Sequence, residues 1–304
     1  MSQPPIITCV GHAALDLIYR VDAIPTRPIK VPATSLALSG GGMAANAACA
    51  IASLGGAARF VGPIGDDVFG DLVAAGLRDR GVDIGALVRT AGATTSVSSI
   101  IVENGGERLI VNHRGTALEA DSPDFAPLLR AASALLCDVR WPAGSSAAFS
   151  AAAEAGLPAV LDADVAAPDI LAELVPQATH VIFSEPGFAR WSGTSADARH
   201  IHASLQSLVT GRCALAAVTL GERGVVAATL RGIAHVPAFA VAAVETLGAG
   251  DVFHGAFTLA LAEGSAIDVA LRFAAAAAAE KCRRAGGRTA LPGRSDVESR
   301  LRLA

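Results

Sequence analysis

Long uninterrupted hydrophobic runs are missing from this 304-residue sequence, although 52% of its residues are hydrophobic. The alanine-rich stretches at 256–263 and 273–280 each end in a charge, well short of the roughly 20 residues that cross a bilayer. We therefore expect no membrane partner. The N-terminus has no basic leader and no long apolar region, so we also expect no secretion signal and a cytoplasmic location.

Cysteine pairs with disulfide or metal-site spacing are missing as well. The five cysteines are an odd number, are widely scattered and contain no CxxC pair, which argues against a disulfide framework and a zinc knuckle. Charge is also scarce, since charged residues make up 17% of the chain and the net charge is −4. Without a basic arm, nucleic acid is not an expected partner.

What is present is an alternation of apolar, β-rich runs with alanine-rich helical segments. This pattern predicts an α/β fold, with helices on both faces of a parallel sheet, and the length suits one domain over residues 1–304. The predicted strands are at about 5–11, 58–64, 134–138, 158–162, 180–184, 213–219 and 224–229. The predicted helices are at about 43–54, 68–80, 145–155, 195–209, 249–263 and 266–283.

Two segments interrupt the alternation, and we expect each to form an antiparallel pair of strands. Residues 95–113 contain two β-rich arms around Asn104-Gly105-Gly106, which is a strong hairpin signal. Residues 16–22 and 31–38 alternate similarly about a proline-containing turn. We predict that segments of about 14–38 and 95–113 form a small β-sheet lid over an active site.

A glycine-rich turn at 248–251 carries the clearest sign of chemistry. Gly248-Ala249-Gly250-Asp251 is predicted to lie where a strand gives way to a helix, and the free N–H groups of a first helical turn attract a phosphoryl group. A carboxylate there would repel the phosphoryl group, unless its task is to take the proton from the attacking hydroxyl. The alternative is that Asp251 only caps its helix.

Two other segments favour the catalytic interpretation. Residues 39–70 supply a second glycine-rich turn followed by a helix that carries Asn46, and residues 218–224 place Thr219 at a strand end, where a nucleotide could lie. These segments and the 248–251 turn resemble the two signature regions of the ribokinase/PfkB carbohydrate kinase family, and the resemblance covers essentially the whole chain.

The resemblance implies a three-layer α/β/α domain with a β lid that transfers the γ-phosphate of ATP to a sugar hydroxyl, with Mg²⁺ as cofactor. It makes Asp251 the base and the backbone of Gly248, Ala249 and Gly250 the anion hole. The implied sugar-binding positions are Asp16, Gly41, Gly42 and Asn46. The implied nucleotide-binding positions are Thr219, Gly221 and Gly224.

Two stretches depart from the family pattern. Where the family commonly has Asn-x-x-Glu near the magnesium and phosphates, this chain has Ser184-Glu185-Pro186-Gly187, so we assign Ser184 and Glu185 to the ATP site and leave the metal ligands unassigned. Where the family usually has Asp-Thr-Thr ahead of the glycine turn, this chain has Glu245-Thr246-Leu247. A monovalent cation next to that segment is a further cofactor that the resemblance raises.

Several cations and amides fall in segments expected to face the cleft, which suggests an acidic substituent on the sugar; they are Lys30, Asn112, Arg114 and Arg140. A narrower resemblance to bacterial sulfofructose kinases, carried by residues 138–141, 183–187, 250–256 and 286–288, implies that Lys30, Asn112 and Arg140 hold the sulfonate of 6-deoxy-6-sulfofructose. A phosphate would be recognised by the same groups. We expect such a ketohexose to be phosphorylated at a primary hydroxyl, with a neutral sugar such as ribose or fructose as the alternative.

Three other interpretations compete with a sugar kinase. Gly40-x-Gly42-x-x-Ala45 fits a dinucleotide-binding fingerprint, but an oxidoreductase would leave the 248–251 turn without a function. A Walker-type NTPase is excluded, because neither of the two lysines follows a glycine loop. A non-catalytic sugar sensor with the same fold is the third. A homodimer through the lid is expected, since an exposed β appendage has edges to cover.

Overall fold

The computed structural model describes residues 3–116, 118, 121–194 and 198–303. The described strands are β1 (Ile6–Val10), β2 (Ala14–Val21), β3 (Ser35–Gly41), β4 (Ala57–Val61), β5 (Pro63–Gly65), β6 (Val88–Thr90), β7 (Ser96–Glu103), β8 (Arg108–His113), β9 (Ala134–Asp138), β10 (Ala159–Ala163), β11 (His180–Ser184), β12 (Leu215–Thr219), β13 (Val225–Thr229) and β14 (Gly232–Val236). The described α-helices are α1 (Met43–Ser53), α2 (Val68–Arg78), α3 (Phe125–Arg130), α4 (Pro142–Glu154), α5 (Pro168–Leu174), α6 (Glu185–Ser192), α7 (Ala198–Leu208), α8 (Ala249–Ala262), α9 (Ile267–Cys282) and α10 (Arg294–Arg302).

The main sheet has eight strands in the order β14-β13-β12-β11-β10-β9-β1-β4. The six strands from β12 to β4 are parallel, and β13 and β14 add an antiparallel edge. Every residue of β9 and β10 is buried, as expected of central parallel strands that are covered on both faces.

Two hydrophobic clusters lie on opposite faces of this sheet. One gathers the apolar faces of α1, α2, α8, α9 and α10. The other gathers those of α3 to α7. Alanine dominates the buried faces of α1 and α9, which lets both helices approach α8 closely. The predicted three-layer α/β/α fold is confirmed.

A separate four-stranded sheet has the order β3-β2-β7-β8. Both sequence-predicted hairpins are present, and their inner strands β2 and β7 pair in parallel. The strand predicted at 31–38 instead occupies Ser35–Gly41, because the irregular connection from β2 contains three prolines, which have no N–H to donate. The second sheet therefore extends beyond the predicted limit of about 38.

Several boundaries and short elements differ from the sequence-based expectations. The described residues 237–248, directly ahead of α8, form no strand: the N–H groups of Val244 and Glu245 both donate to the carbonyl of Cys282, at 2.7 and 3.1 Å, rather than to a sheet neighbour. Helix α7 begins at Ala198, and residues 195–197 of the predicted helix lie outside the described part. The single strand predicted at 58–64 is two strands, β4 and β5, in the structure. Strands β6 and β14 and helices α3, α5, α6 and α10 were not predicted, since each is short.

The carboxyl ends of the parallel strands place polar residues along one edge of the main sheet. Asp138, Ser184 and Thr219 are the last residues of β9, β11 and β12, and Asp164 follows β10 directly. In open α/β sheets, ligands bind at this edge. Among the described helices, none is long and apolar enough to traverse a bilayer.

Candidate active site

The turn at 248–251 leads into α8. Gly248 has a φ of 74°, a left-handed conformation that would cost a residue with a side chain roughly 1 kcal/mol. The N–H of Ala249 donates to the carbonyl of Thr246 at 3.2 Å and closes the turn. The next N–H groups belong to the first helical turn and have no carbonyl partner within the helix, so they can bind an anion.

This turn separates two cavities. Ala249 and Gly250 line a cavity of about 810 Å³ whose other walls include Thr219, Gly221 and Gly224. Asp251 lines a second cavity, of about 1020 Å³. The two neighbouring residues Gly250 and Asp251 thus face different spaces, and a group that crosses from one cavity to the other would pass the N-terminus of α8.

Asp251 is held by an amide side chain from α1. The Nδ2 group of Asn46 donates to Asp251 Oδ2 at 2.6 Å. The pKa of Asp251 is raised to about 7, first by burial and then by the nearby Asp162, while the hydrogen bond from Asn46 and the charge of His254 oppose the shift. A carboxyl with a pKa near neutrality has the proton affinity suited to a general base.

Arg288 holds Asn46 in turn. Its Nε donates to Asn46 Oδ1 at 2.9 Å and its Nη2 donates to the carbonyl of Gly41 at 2.6 Å. Because the Asn46 oxygen accepts from Arg288, the Asn46 amide must present its NH₂ group to Asp251. Sequence reasoning did not assign Arg288 a role, since it lies 242 residues from Asn46.

Asp138 organises the backbone on the other side of the larger cavity. It is fully buried, and its carboxylate accepts from the N–H groups of His12 at 2.8 Å, Ala44 at 3.0 Å and Arg140 at 2.8 Å. One side chain therefore fixes three segments that meet at the cavity. The sequence analysis noted residue 138 only within a family-like stretch.

His254, one turn after Gly250, ties α8 to the main sheet. Its Nδ1 lies 2.8 Å from the carbonyl of Gly250 and its Nε2 lies 3.1 Å from that of Ile182. Asp162 is 3.4 Å from Nε2. Burial lowers the pKa of His254 and raises that of Asp162. These contacts hold the first turns of α8 against β10 and β11 of the main sheet.

Most of the predicted sugar-binding residues meet in the larger cavity. Asp16, Gly42, Asn46, Asn112 and Arg140 line it together. Asn112 Nδ2 donates to Ser98 Oγ at 3.1 Å, and Arg140 lies 3.5 Å from the carboxylate of Asp164. Burial raises the pKa of Asp16, against a hydrogen bond from Ser98 and the charge of Arg288.

The remaining predicted residues lie at or outside the cavity margins. Gly41 contributes the carbonyl that accepts from Arg288, and Lys30 is exposed in the connection between β2 and β3 and does not line the larger cavity. Ser184 caps α6 and donates to Asp164 Oδ1 at 2.6 Å. Glu185 pairs with Arg223 at 2.5 Å.

Comparison with known proteins agrees with this geometry. The pattern of the pfkB family carbohydrate kinases matches residues 6–294. The chain belongs to the PfkB family of carbohydrate kinases. Fructokinase-1 of Oryza sativa subsp. japonica is 31% identical, over 96% of each chain.

Solved structures of PfkB kinases extend the likeness to three dimensions. A protein from Agrobacterium tumefaciens, whose assignment as a ribokinase is itself provisional, superposes with a TM-score of 0.94 at 35% identity, covering 99% of this chain and 98% of that one. Arabidopsis thaliana ribokinase in complex with ribose and ATP superposes with a TM-score of 0.87 at 26% identity, covering 100% of both chains.

Membership of the PfkB family makes this protein an ATP-dependent sugar kinase. The sensor and oxidoreductase interpretations are set aside, and the glycines at 40–42 lie at the end of β3 in the small sheet, not in the first βα unit of a dinucleotide-binding domain. The individual roles predicted for the site residues, and the lid role of the four-stranded sheet, stay predictions.

Proposed function

We propose that this sugar kinase transfers the γ-phosphate of ATP to a hydroxyl of a ketohexose that carries a sulfonate or a phosphate. The observation that carries the proposal is the position of the 248–251 turn, with Ala249 and Gly250 on the cavity assigned to ATP and Asp251 on the cavity assigned to the sugar. The proposed lid is the four-stranded sheet, because Asp16, Ser98 and Asn112 reach the sugar cavity from its strands.

In the proposed reaction, the sugar hydroxyl approaches the carboxylate of Asp251. Asn46 occupies Oδ2, which leaves Oδ1 to accept the hydroxyl proton while the sugar oxygen bonds to the γ-phosphorus. The N–H groups at the start of α8 donate to the phosphoryl oxygens and stabilise their charge. The bond to ADP then breaks, and Asp251 returns its proton to solvent.

The residues near α6 fit a magnesium ion. Asp164 opens onto the sugar cavity; its Oδ1 accepts from Ser184, and its Oδ2 lies 3.5 Å from Arg140 Nη2. Mg²⁺ in kinases is commonly held by one or two carboxylates together with phosphate oxygens and water. Asp164 would hold it, and the ion would neutralise charge on the ATP phosphates. Among the described residues, no group of three or more His, Cys, Asp or Glu side chains could hold a metal alone.

Two guanidinium groups support the anionic substituent. Arg114 and Arg140 line the sugar cavity with Asn112. Both also act on His12: burial lowers the pKa of His12 and Asp138 opposes this, whereas Arg140 and Arg114 lower it further. The positive charge of both arginines is therefore felt at one wall of the cavity. A planar guanidinium can donate two parallel hydrogen bonds to a sulfonate or phosphate.

An assay of purified enzyme with ATP and Mg²⁺ against 6-deoxy-6-sulfofructose, fructose 6-phosphate, fructose and ribose tests the proposal. We expect the highest kcat/KM with one of the two anionic sugars. Arg140→Ala should raise the KM for that sugar by about 10- to 100-fold, as expected for a lost charged hydrogen bond, and leave the KM for ATP nearly unchanged. The matched control is Arg231→Ala, at an exposed position outside both cavities.

A clear preference for fructose or ribose would overturn the anionic substituent while leaving the sugar kinase in place. Equal effects of Arg140→Ala on the anionic and the neutral sugars would do the same, because the guanidinium would then not recognise the charged group.

A second copy of this chain is the proposed partner of the four-stranded sheet. Large apolar side chains on both edge strands are exposed; they are Leu36, Leu38, Leu109, Ile110 and Val111. Exposed edges with apolar side chains favour association. A monomeric mass by sedimentation equilibrium would rule this out. The cytoplasmic location also remains a proposal, which fractionation of the source cells would test.

A further inference from the structure

The last turn of α9 contains a buried ammonium group that the proposed reaction does not use. Lys281 is 1% exposed, and its Nζ lies 3.2 Å from Glu245 Oε1 and 3.2 Å from the carbonyl of Arg284. Lysine is almost never fully buried unless it is paired, because its charge loses hydration. The charge of Lys281 must therefore be stabilised by the groups that it contacts.

Glu245, the partner of Lys281, also binds a second segment of backbone. Its Oε1 accepts from the N–H of Gly287 at 2.9 Å, and its Oε2 accepts from the N–H of Gly286 at 3.3 Å. Lys281, for its part, contacts the carbonyl of Arg284 in the same segment. The pair thus joins the stretch around 245 to the stretch 284–287.

Both joined segments lead directly to the groups that act on the phosphoryl transfer. Glu245 is three residues before Gly248, the residue with a left-handed conformation that directs the chain into the first turn of α8. Gly287 is followed by Arg288, which orients Asn46 and through it Asp251. A displacement of either segment would move the anion-binding amides relative to the base.

A monovalent cation would need the same oxygen atoms. Two oxygen acceptors of these segments are the Glu245 carboxylate and the Arg284 carbonyl, and Nζ of Lys281 lies 3.2 Å from each. A metal ion placed there would sit in contact with a like charge, which is unfavourable in a buried site. The residues present therefore do not fit a monovalent cation at this place.

We infer that the ammonium of Lys281 is a fixed internal cation that positions the 245–248 and 284–288 segments, so that the kinase works without an added monovalent cation. Lys281 is a positioning residue, since it acts through Glu245 and touches no reacting atom. The inference rests on the sugar kinase activity but not on which sugar is used, so the anionic-substrate proposal can fail without affecting it.

The first test is the wild-type enzyme in a buffer whose only other cation is tetramethylammonium, with the best sugar substrate and MgATP. We expect kcat to change by less than about twofold when K⁺, Na⁺ or NH₄⁺ is added. A rise of about tenfold or more with one of these ions would show that an external cation completes the site and would overturn the inference.

The second test removes the ammonium. In Lys281→Ala we expect kcat to fall by about 10- to 100-fold, with smaller changes in KM, because a small misplacement of catalytic groups has effects of this size. Added NH₄⁺ or K⁺ should restore part of the lost kcat, since the variant leaves space beside the Glu245 carboxylate and the Arg284 carbonyl. A merely structural lysine would not give a cation-dependent kcat.

Lys281→Met, whose side chain ends one atom short of Nζ and leaves the position of the ammonium nitrogen open, serves if the alanine variant does not fold, and the same rescue is expected. The matched control is Arg283→Ala, in the same segment, whose side chain is 51% exposed and pairs with Glu280. Its kcat should stay near the wild-type value and should not depend on the cation. A folded Lys281 variant with wild-type kcat, or one that no cation rescues, would overturn the inference.

Discussion

The two cavities on either side of the 248–251 turn differ in the polarity of the residues that line them. The ATP-assigned cavity is walled largely by small and apolar residues, including Ala238, Ala275, Ala278 and Phe239. The sugar-assigned cavity has apolar walls too, but it adds many titratable and amide side chains, such as Asp16, Asn46, Arg140 and Asp251. One ligand is therefore expected to be recognised by shape and backbone, and the other by charge and hydrogen bonds.

The largest effect on kcat is expected from a change at Asp251, in the turn between the two cavities. Asp251→Asn removes the base but keeps the shape and a hydrogen-bonding group, so kcat should fall by about 10²- to 10⁴-fold while both KM values change little. Steady-state kinetics with varied sugar and varied ATP measure this. The control is Asp268→Asn, an exposed acid in the first turn of α9 that lines neither cavity, where kcat should not change.

The dependence of kcat/KM on acidic pH tests the role of Asp251 in the sugar-assigned cavity. Burial raises the pKa of Asp251 to about 7. Only the carboxylate form can accept the hydroxyl proton, so kcat/KM should fall about tenfold for each pH unit below about 7 and level off above it. A sulfonated or neutral sugar should be used, because its charge does not change in this range. A flat profile between pH 5 and 8 would contradict the assignment of Asp251 as the base.

The smallest effect is expected from a substitution in the ATP-assigned cavity, and it should change only the KM for ATP. Ala278→Phe places a large ring in the ATP-assigned cavity, which should raise the KM for ATP by about tenfold and leave the KM for the sugar within about twofold, since overpacking costs of order 1–3 kcal/mol. Ala153→Phe, at an exposed position of α4, is the size-matched control. An equal rise in both KM values would show that the cavities are not independent.

The sequence predicted well where the signal is local. The 248–251 turn, the helix that carries Asn46 and the two hairpins each depend on neighbouring residues, namely glycines at a helix start or around Asn104. The strand predicted ahead of the turn was wrong, because Val244 and Glu245 bond to Cys282, a partner that no local pattern marks.

Long-range pairings explain what the sequence analysis missed in the site. Asp138 was not singled out because its role depends on three N–H groups, two of them about a hundred residues away. Arg288 and Lys281 resemble ordinary surface cations in the sequence, and only the fold buries them. Lys30 shows the converse, since its position between two predicted strands suggested the cleft and the fold leaves it exposed.

The close approach of Arg288 to β3 also constrains the order in which this site could change. A methyl group at Gly40 would lie 1.9 Å from Arg288 Nη1, and the guanidinium cannot retreat while Asn46 and the Gly41 carbonyl hold its other nitrogens. An alanine at position 40 would therefore be tolerated only after residue 288 had been shortened. Once both had changed, the arginine could return only after position 40 had become glycine again. The order of substitution at these two positions is therefore fixed in both directions.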